Sequence, residues 1–236
     1  MTSLTAVLLK SGQRLTTDRG DTVLVQAWAG EGSYSRVYRA TLASESTVCA
    51  IKLARGETPG AAALLEQQRR ILAPLSHENL VRVFDWGRVS ESPFLIMEWL
   101  PEETLQQRVA SRGSLPLRLA LPIFSAVLAA LDCLHTAGVS HGDVFGRNVH
   151  LDRERAAVLV DPHPAPGSSS PQQDLLQASD LLALMLAGSA AAGGPMELDK
   201  RPGMNRSVIQ LWRESRTPGS RAGKLRSEAD SILRGL

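Results

Sequence analysis

The strongest constraint on the fold of this chain comes from two short apolar segments that each end in a charged residue. Residues 48–51 are apolar and precede Lys52, and residues 156–160 are apolar and precede Asp161. Short apolar runs that contain β-branched residues are typical of buried strands. The sequence therefore predicts two strands, each of which presents a charged side chain at its end.

Two further polar residues, Asp143 and Asn148, stand five positions apart between these segments. Together with Lys52 and Asp161 they supply one cation, one carboxylate that can accept a proton, and two oxygen ligands for a divalent metal. Phosphoryl transfer from a nucleotide requires these groups. Each residue alone has a structural interpretation, because lysines commonly end surface strands and Asp or Asn commonly forms turns. The combination favours a catalytic interpretation.

Residues 1–100 are predicted to form an antiparallel sheet with one helix. The strands are predicted at residues 22–29, 36–42, 47–53, 80–86 and 94–99, which are rich in β-branched and aromatic residues. The helix is predicted over residues 60–75, where apolar residues recur at helical spacing. This part of the chain is thus a small β-rich unit.

Beyond Pro101 the chain is predicted to be mainly helical. The helices are predicted at residues 104–111, 116–137, 174–187, 205–216 and 224–236, and two short strands at 149–151 and 158–160. Residues 162–173 are rich in proline, serine and glycine, which predicts a loop.

Composition argues against several other classes of protein. The formal net charge of +2 provides no strong field for nucleic acid. We find no cleavable leader pattern and no uninterrupted apolar run near the roughly 18 residues of a membrane span. Cys49 and Cys133 both lie in apolar segments, as small buried residues do in a reducing compartment. We expect a cytoplasmic protein that binds neither nucleic acid nor a membrane.

The predicted elements resemble the protein kinase domain, in particular bacterial serine/threonine kinases of the eukaryotic (Hanks) type. Besides Lys52 and Asp161, the resemblance is carried by the segments 30–37, 75–83, 95–100, 131–139 and 141–148. It implies an α+β, bilobal fold. Residues 1–100 would form a small N-lobe with an antiparallel sheet and one helix, and residues 101–236 a helical C-lobe.

The resemblance also implies a role for each site residue. Those that would contact ATP are Gly30, Gly32, Val37, Ala50, Lys52, Gln68, Met97, Glu98, Leu100 and His150. Lys52 would pair with phosphate oxygens, and residues 98–100 would form the hinge that hydrogen-bonds the base. Gly30 and Gly32 would let the backbone approach the phosphates closely.

The resemblance also implies catalytic roles for Asp143 and Arg147 and a metal-binding role for Asn148 and Asp161. Asp143 would orient the substrate hydroxyl and accept its proton. Arg147 would supply positive charge in place of the lysine that serine/threonine kinases keep, since Phe145 stands at that position. Asn148 and Asp161 would hold Mg²⁺, a hard cation that prefers oxygen ligands. The expected partners are therefore ATP and an unidentified protein substrate.

Several positions depart from the family pattern. An ungapped alignment puts Gln68 where the family has the glutamate that pairs with Lys52, and Glu66 would face that lysine only if the helix were shifted. Gly142 replaces the arginine that grips a phosphorylated activation loop. Asp174, which would brace the 141–148 loop, follows Asp161 by only thirteen positions, so the activation segment is short.

Three functions remain open at this stage. A minimal protein kinase that is not controlled by loop phosphorylation is favoured by the four polar groups. A pseudokinase that binds nucleotide as a scaffold is favoured by Gln68, Phe145 and Pro162, the last of which follows Asp161 where the family has phenylalanine. A small-molecule phosphotransferase is favoured by Gly142 and the short segment.

Overall fold

A computed structural model describes residues 6–100, 103–165, 167, 169–188 and 205–236 of the chain. The chain forms two compact units. The first comprises Met1–Ser76 and Val81–Trp99, and the second comprises His77–Leu80 and Leu100–Leu236.

The first unit is built on a six-stranded antiparallel sheet with the strand order β1-β2-β3-β4-β6-β5. Its elements are β1 (Arg14–Thr16), β2 (Thr22–Glu31), β3 (Ser35–Leu42), β4 (Thr47–Ala54), α1 (Ala61–Leu72), β5 (Val83–Val89) and β6 (Ser92–Glu98). The sequence predicted five of these strands and missed β1. A three-residue strand with Leu15 as its one buried residue is too short to produce an alternating pattern.

The two faces of this sheet explain the sequence patterns of its strands. β3 alternates buried and partly exposed residues along its whole length. One face is covered by a core that includes Tyr38, Ile51 and Ile96. β4 is buried on both faces, which explains why residues 48–51 are continuously apolar.

The structure corrects the strand that was predicted at residues 80–86. β5 begins only at Val83, and residues 77–80 belong to the second unit rather than to the first. Asn79 Nδ2 donates to the carbonyl oxygens of Arg155 and Ala157, both at 2.9 Å, and Leu80 forms a parallel bridge with Leu159. The apolar Leu80 is thus buried by a contact distant in sequence, not by a place in the predicted strand.

The second unit is mainly helical. Its elements are α2 (Leu105–Arg112), α3 (Leu117–Thr136), a 3₁₀ turn (Gly146–Asn148), β7 (Val149–Asp152), β8 (Ala156–Leu159), α4 (Pro171–Ala187), α5 (Arg206–Ser215) and α6 (Ala222–Arg234). β7 and β8 pair as an antiparallel hairpin. Thr104 caps α2 with a capping box, and Ser170 caps α4 through a hydrogen bond from the Gln173 amide.

Helix α3 forms the centre of the second unit, where it packs against α4, α6 and β8. Among the described helices, α3 alone is long and apolar enough to cross a bilayer, with a mean hydropathy of 1.9 over 18 residues, of which 67% is buried in this unit. The core helix of a globular protein meets the same criteria. The contacts of α3 with its neighbours account for its composition.

Candidate active site

Lys52 is held inside the first unit by a side chain of α1. Its Nζ donates to Gln68 Oε1 at 2.8 Å, and both residues are 4% exposed. Glu66 instead accepts from Arg69 Nε at 2.9 Å and from Arg70. Of the two alternatives left open by the sequence, the structure has Gln68 facing the lysine, because Gln68 lies on the buried face of α1 with Leu65.

The predicted nucleotide-binding residues of the sheet share one face. Val37 pairs with Lys52 across β3 and β4, and Ala50 pairs with Met97 across β4 and β6. Because side chains two apart on a strand point to the same side, these four residues lie on the face opposite the Ile51 core. Glu98 ends β6, and its carboxylate accepts from the Arg82 amide at 2.9 Å.

The glycine turn (residues 30–35) connects β2 and β3. Gly30 pairs with Val37, and the Gly32 amide donates to the Ser35 carbonyl at 2.8 Å. A Cβ atom added at Gly30 or Gly32 would meet nothing within 4 Å. The two glycines are therefore not needed for packing in this structure, and their bare backbone leaves room for a ligand to approach closely.

In the second unit the β7–β8 hairpin brings two of the predicted residues to the same end. The Val160 amide donates to the Asn148 backbone carbonyl at 2.9 Å. The next residue, Asp161, therefore lies at the same end of the hairpin as Asn148. Asn148 Nδ2 donates to Asp143 Oδ2 at 2.7 Å and to the Asp143 carbonyl at 2.8 Å. Asp143, Asn148 and Asp161 are thereby grouped around the start of one hairpin.

Arg147 forms an ion pair with Asp143 in which a single nitrogen contacts both carboxylate oxygens. Its Nη2 lies 2.6 Å from Asp143 Oδ1 and 2.9 Å from Oδ2. The guanidinium also lies 4.7 Å from the centre of the exposed Phe145 ring. The aromatic residue that replaces the family lysine thus supports the arginine that supplies the charge.

Asp174 braces the 141–148 loop from α4, as predicted. Its fully buried carboxylate accepts from the His141 amide at 2.7 Å and the Gly142 amide at 2.8 Å, and it lies 2.8 Å from His135 Nε2. Burial lowers the pKa of His141. The neutral ring donates from Nε2 to the Val160 carbonyl and accepts the Asp143 amide at Nδ1.

The family model described as protein kinase domain matches residues 25–161. This match covers more than half of the chain. The chain belongs to the protein kinase family. The predicted family and the α+β kinase fold are confirmed.

Curated relatives from bacteria and from a plant belong to the same family. The chain is 31% identical over 141 residues to the serine/threonine-protein kinase PknL of Mycobacterium tuberculosis, covering 58% of this chain and 35% of that protein. It is 29% identical over 135 residues to a probable serine/threonine-protein kinase of Clostridium perfringens, covering 56% and 20%. It is 29% identical over 140 residues to mitogen-activated protein kinase kinase kinase 3 of Arabidopsis thaliana, covering 56% and 22%. The matched part spans about a fifth to a third of these relatives.

The kinase match includes Lys52, Asp143, Asn148 and Asp161 but ends before Asp174. The predicted resemblance extends beyond Asp161 to about residue 188 and includes Asp174. The bonds from Asp174 to the 141–148 loop support that placement by geometry, although the family model stops earlier.

The residues of this kinase-family chain fit the divalent cation that the family implies. Asn148 Nδ2 donates to Asp143, which leaves the side-chain oxygen Oδ1 as the atom suited to a cation, and the backbone bond from Val160 to Asn148 brings Asp161 to the same end of the hairpin. No group of three or more His, Cys, Asp or Glu side chains that could hold a metal occurs in the described part of the chain. Two protein oxygens with phosphate or water as further ligands match the preference of Mg²⁺.

Gly142 is required by the packing of the short segment after Asp161. The Gly142 φ angle is 80°, and an added Cβ would lie 2.6 Å from the His163 carbonyl oxygen and 2.8 Å from Pro164 Cα. The His163 amide donates to the His141 carbonyl at 2.7 Å. The sequence linked Gly142 to a lost phosphate clamp and to small-molecule phosphotransferases, whereas the structure shows that a side chain there has no room.

Two further residues that support the 141–148 loop were not predicted from the sequence. Gln177 Oε1 accepts from the Val144 amide at 2.9 Å, and His135 contacts Asp174. Gln177 lies three residues after Asp174 on α4, so both project from one face of that helix. That spacing was the available signal for Gln177. The other two predicted residues, Leu100 and His150, lie in the second unit, where His150 pairs with Val158 in the hairpin.

Proposed function

We propose that this chain transfers the γ-phosphoryl group of ATP, with Mg²⁺, to a serine or threonine hydroxyl of a protein substrate. The observation that carries the proposal is the hydrogen bond from Asn148 Nδ2 to Asp143 Oδ2. It holds a carboxylate able to act as a base next to an amide whose oxygen suits a cation. Named serine/threonine kinases among the relatives support the same acceptor class.

Each unit contributes its own residues to the proposed reaction. Lys52 would bind phosphate oxygens, and Mg²⁺ on Asn148 and Asp161 would neutralise phosphate charge. Asp143 would orient the acceptor hydroxyl and take its proton as the bond from that oxygen to the γ-phosphorus forms and the bond between the γ-phosphorus and ADP breaks. Arg147 holds both Asp143 oxygens before substrate binds and would turn toward the transferred phosphoryl group.

We further propose that activity does not depend on phosphorylation of the segment after Asp161. Such a switch needs an arginine pocket and a loop that docks into it. Gly142 has no side chain, and a hydrogen bond from the His163 amide to the His141 carbonyl connects the segment to the loop directly. Phosphatase treatment is therefore expected to leave activity unaltered, and strong inactivation would contradict this part of the proposal.

A pseudokinase that binds nucleotide as a scaffold is the second candidate. It is favoured by Gln68, whose uncharged amide gives Lys52 a hydrogen bond where the family has an ion pair with glutamate. A small-molecule phosphotransferase is the third candidate. It is favoured by Gly142 and by the short segment between Asp161 and Asp174 that packs against it. The three candidates differ in acceptor and in turnover.

The test is incubation of the purified chain with radiolabelled ATP and Mg²⁺ or Mn²⁺, alone, with generic protein acceptors and with small hydroxyl acceptors. We expect label on protein, lost in Lys52→Ala and Asp161→Asn. Asp143→Asn should lower turnover while a thermal shift by nucleotide survives, since the base acts in chemistry.

Glu154→Gln, which removes an exposed carboxylate of the β7–β8 hairpin, serves as the control and should label normally. Nucleotide binding without label on any acceptor would support the pseudokinase. Label confined to small acceptors would support the phosphotransferase. Labelling that survives Asp161→Asn would refute the site.

A further inference from the structure

Four charged side chains surround the base of the glycine turn, outside the groups used above. Arg36 follows the turn on β3 and is 7% exposed. It forms a forked pair with Glu57, with Nη2 to Oε1 and with Nη1 to Oε2 at 3.2 Å, and its Nε lies 3.4 Å from Glu31. An arginine this buried is retained where its charge is paired.

Arg55 connects the same carboxylate to the backbone of the turn. Its Nε lies 3.0 Å from Glu57 Oε1, and its Nη1 donates to the Gly32 carbonyl at 3.1 Å. The Arg55 amide also donates to the Tyr34 carbonyl at 2.9 Å. Glu57, in the connection from β4 to α1, is therefore bonded to both arginines that touch the turn.

The hydrogen bond from Arg36 is the main reason that the pKa of Glu57 is lowered to about 2. Glu57 is thus ionised at every pH at which the protein would work. The cluster as a whole is neutral, since two arginines face two glutamates, so it adds no net field toward phosphate. Its effect is mechanical: it connects the turn to the segment that leads into α1.

We infer that Glu57 is a positioning residue for nucleotide binding, because it holds Arg36 and Arg55 together and so fixes the Gly32 carbonyl and the backbone of the turn. This inference rests on the proposed function and names the residue that orders its glycine turn. A turn ordered in advance loses less conformational entropy when ligand binds. Glu57 does not touch substrate itself.

Loss of the Glu57 charge and loss of order in the glycine turn would change nucleotide binding in opposite directions. Removing the Glu57 charge leaves the two arginines facing Glu31 alone, an excess of one positive charge that by itself would attract phosphate and tighten nucleotide binding. Loosening the turn would weaken binding. The variant Glu57→Gln therefore separates the two effects by the sign of the change.

The experiment measures binding of a non-hydrolysable ATP analogue with Mg²⁺, steady-state kinetics, and amide exchange at residues 32–35 without nucleotide. For Glu57→Gln we expect binding weaker by about three- to tenfold and KM raised in parallel, with kcat within about twofold, as loss of a partly exposed ion pair predicts. Exchange at the turn should be faster.

The double variant Glu57→Gln/Arg55→Gln restores charge balance without the connection, and we expect it to bind as weakly as Glu57→Gln. Arg55→Gln alone is the second variant if Glu57→Gln fails to fold. Glu45→Gln, at an exposed position of the first unit, is the control and should match the wild type.

Tighter or unchanged binding in Glu57→Gln, or recovery in the double variant, overturns the inference alone. A wild type that binds no nucleotide overturns it together with the proposed function.

Discussion

The two units hold their buried polar residues in different ways. In the first unit, Lys52 donates to a neutral amide of Gln68 at 2.8 Å. In the second unit, the Asp174 carboxylate gathers two backbone amides of the 141–148 loop and the ring of His135. Both arrangements contain one ionised group, the Lys52 ammonium or the Asp174 carboxylate, so their individual hydrogen bonds are of a similar kind. The difference lies in what is held: Gln68 orients one side chain, whereas Asp174 fixes the backbone of the loop that carries Asp143.

The largest expected effect comes from Asp174→Asn. Each Asp174 oxygen accepts a hydrogen bond from a backbone amide, and the Nδ2 group of the new asparagine would replace one of these oxygens and face an N–H donor that it cannot bond. We therefore expect a loss of about 2–4 kcal/mol in the free energy of unfolding, measured with urea. Phosphoryl transfer should fall further, because the loop that carries Asp143 loses its support. The control is Asp180→Asn on the same helix, where the side chain is 61% exposed and pairs with Arg216. Equal losses in the two variants would show that Asp174 is not special.

A smaller effect is expected where the same loop meets the short segment. Gly142→Ala should destabilise the protein by about 1–3 kcal/mol, because φ is positive and Cβ would overlap the His163 carbonyl. Gly138→Ala has a similar φ of 76° with nothing within 4 Å of Cβ, and should cost only about 1 kcal/mol. Urea denaturation compares the two. If both variants lose the same stability, the close approach at Gly142 has no energetic consequence.

A carboxylate placed opposite Lys52 tests how much the uncharged Gln68 limits the first unit. Gln68→Glu replaces the ammonium–amide hydrogen bond of Lys52 with an ion pair, so we expect phosphoryl transfer to rise about three- to tenfold. The matched control, Gln67→Glu, adds the same charge one position away on α1 and should leave the rate within twofold. Steady-state kinetics decide, and a rate that falls in Gln68→Glu would mean that an uncharged partner of Lys52 is itself required.

The smallest effect is a dependence of stability on pH. Burial lowers the pKa of His141 below its usual 6.5, so the unfolded chain binds a proton more readily than the folded one. Stability should be full above pH 6.5 and fall as the pH drops below it. Burial also lowers the pKa of His77. The thermal midpoint of His77→Gln should retain part of this slope, and a flat profile in that variant would assign the whole effect to His77.

Local patterns predicted most of the fold. The strand that carries Lys52 and the strand that precedes Asp161 were visible because a buried strand needs a continuous apolar run, and α3 was visible from its length and its flanking Pro116 and Gly138. β1 and the segment 77–80 were misread, since one lacks a pattern and the other is buried by the distant Ala157 and Leu159.

The candidate site divides in the same way. The identity and order of Lys52, Asp143, Asn148 and Asp161 were readable from residue types and spacing. Which of Gln68 and Glu66 meets the lysine, and why residue 142 is a glycine, depended on the rotation of α1 and on the approach of His163.

The sequence by itself determined the strands, the helices and the polar groups that they carry, because these follow from side-chain chemistry and periodicity along the chain. Only the tertiary structure decided which of those groups hold one another. The bonds of Glu57 to Arg36 and of Asn79 to Ala157 join residues that lie far apart along the chain, where no local pattern signals the contact.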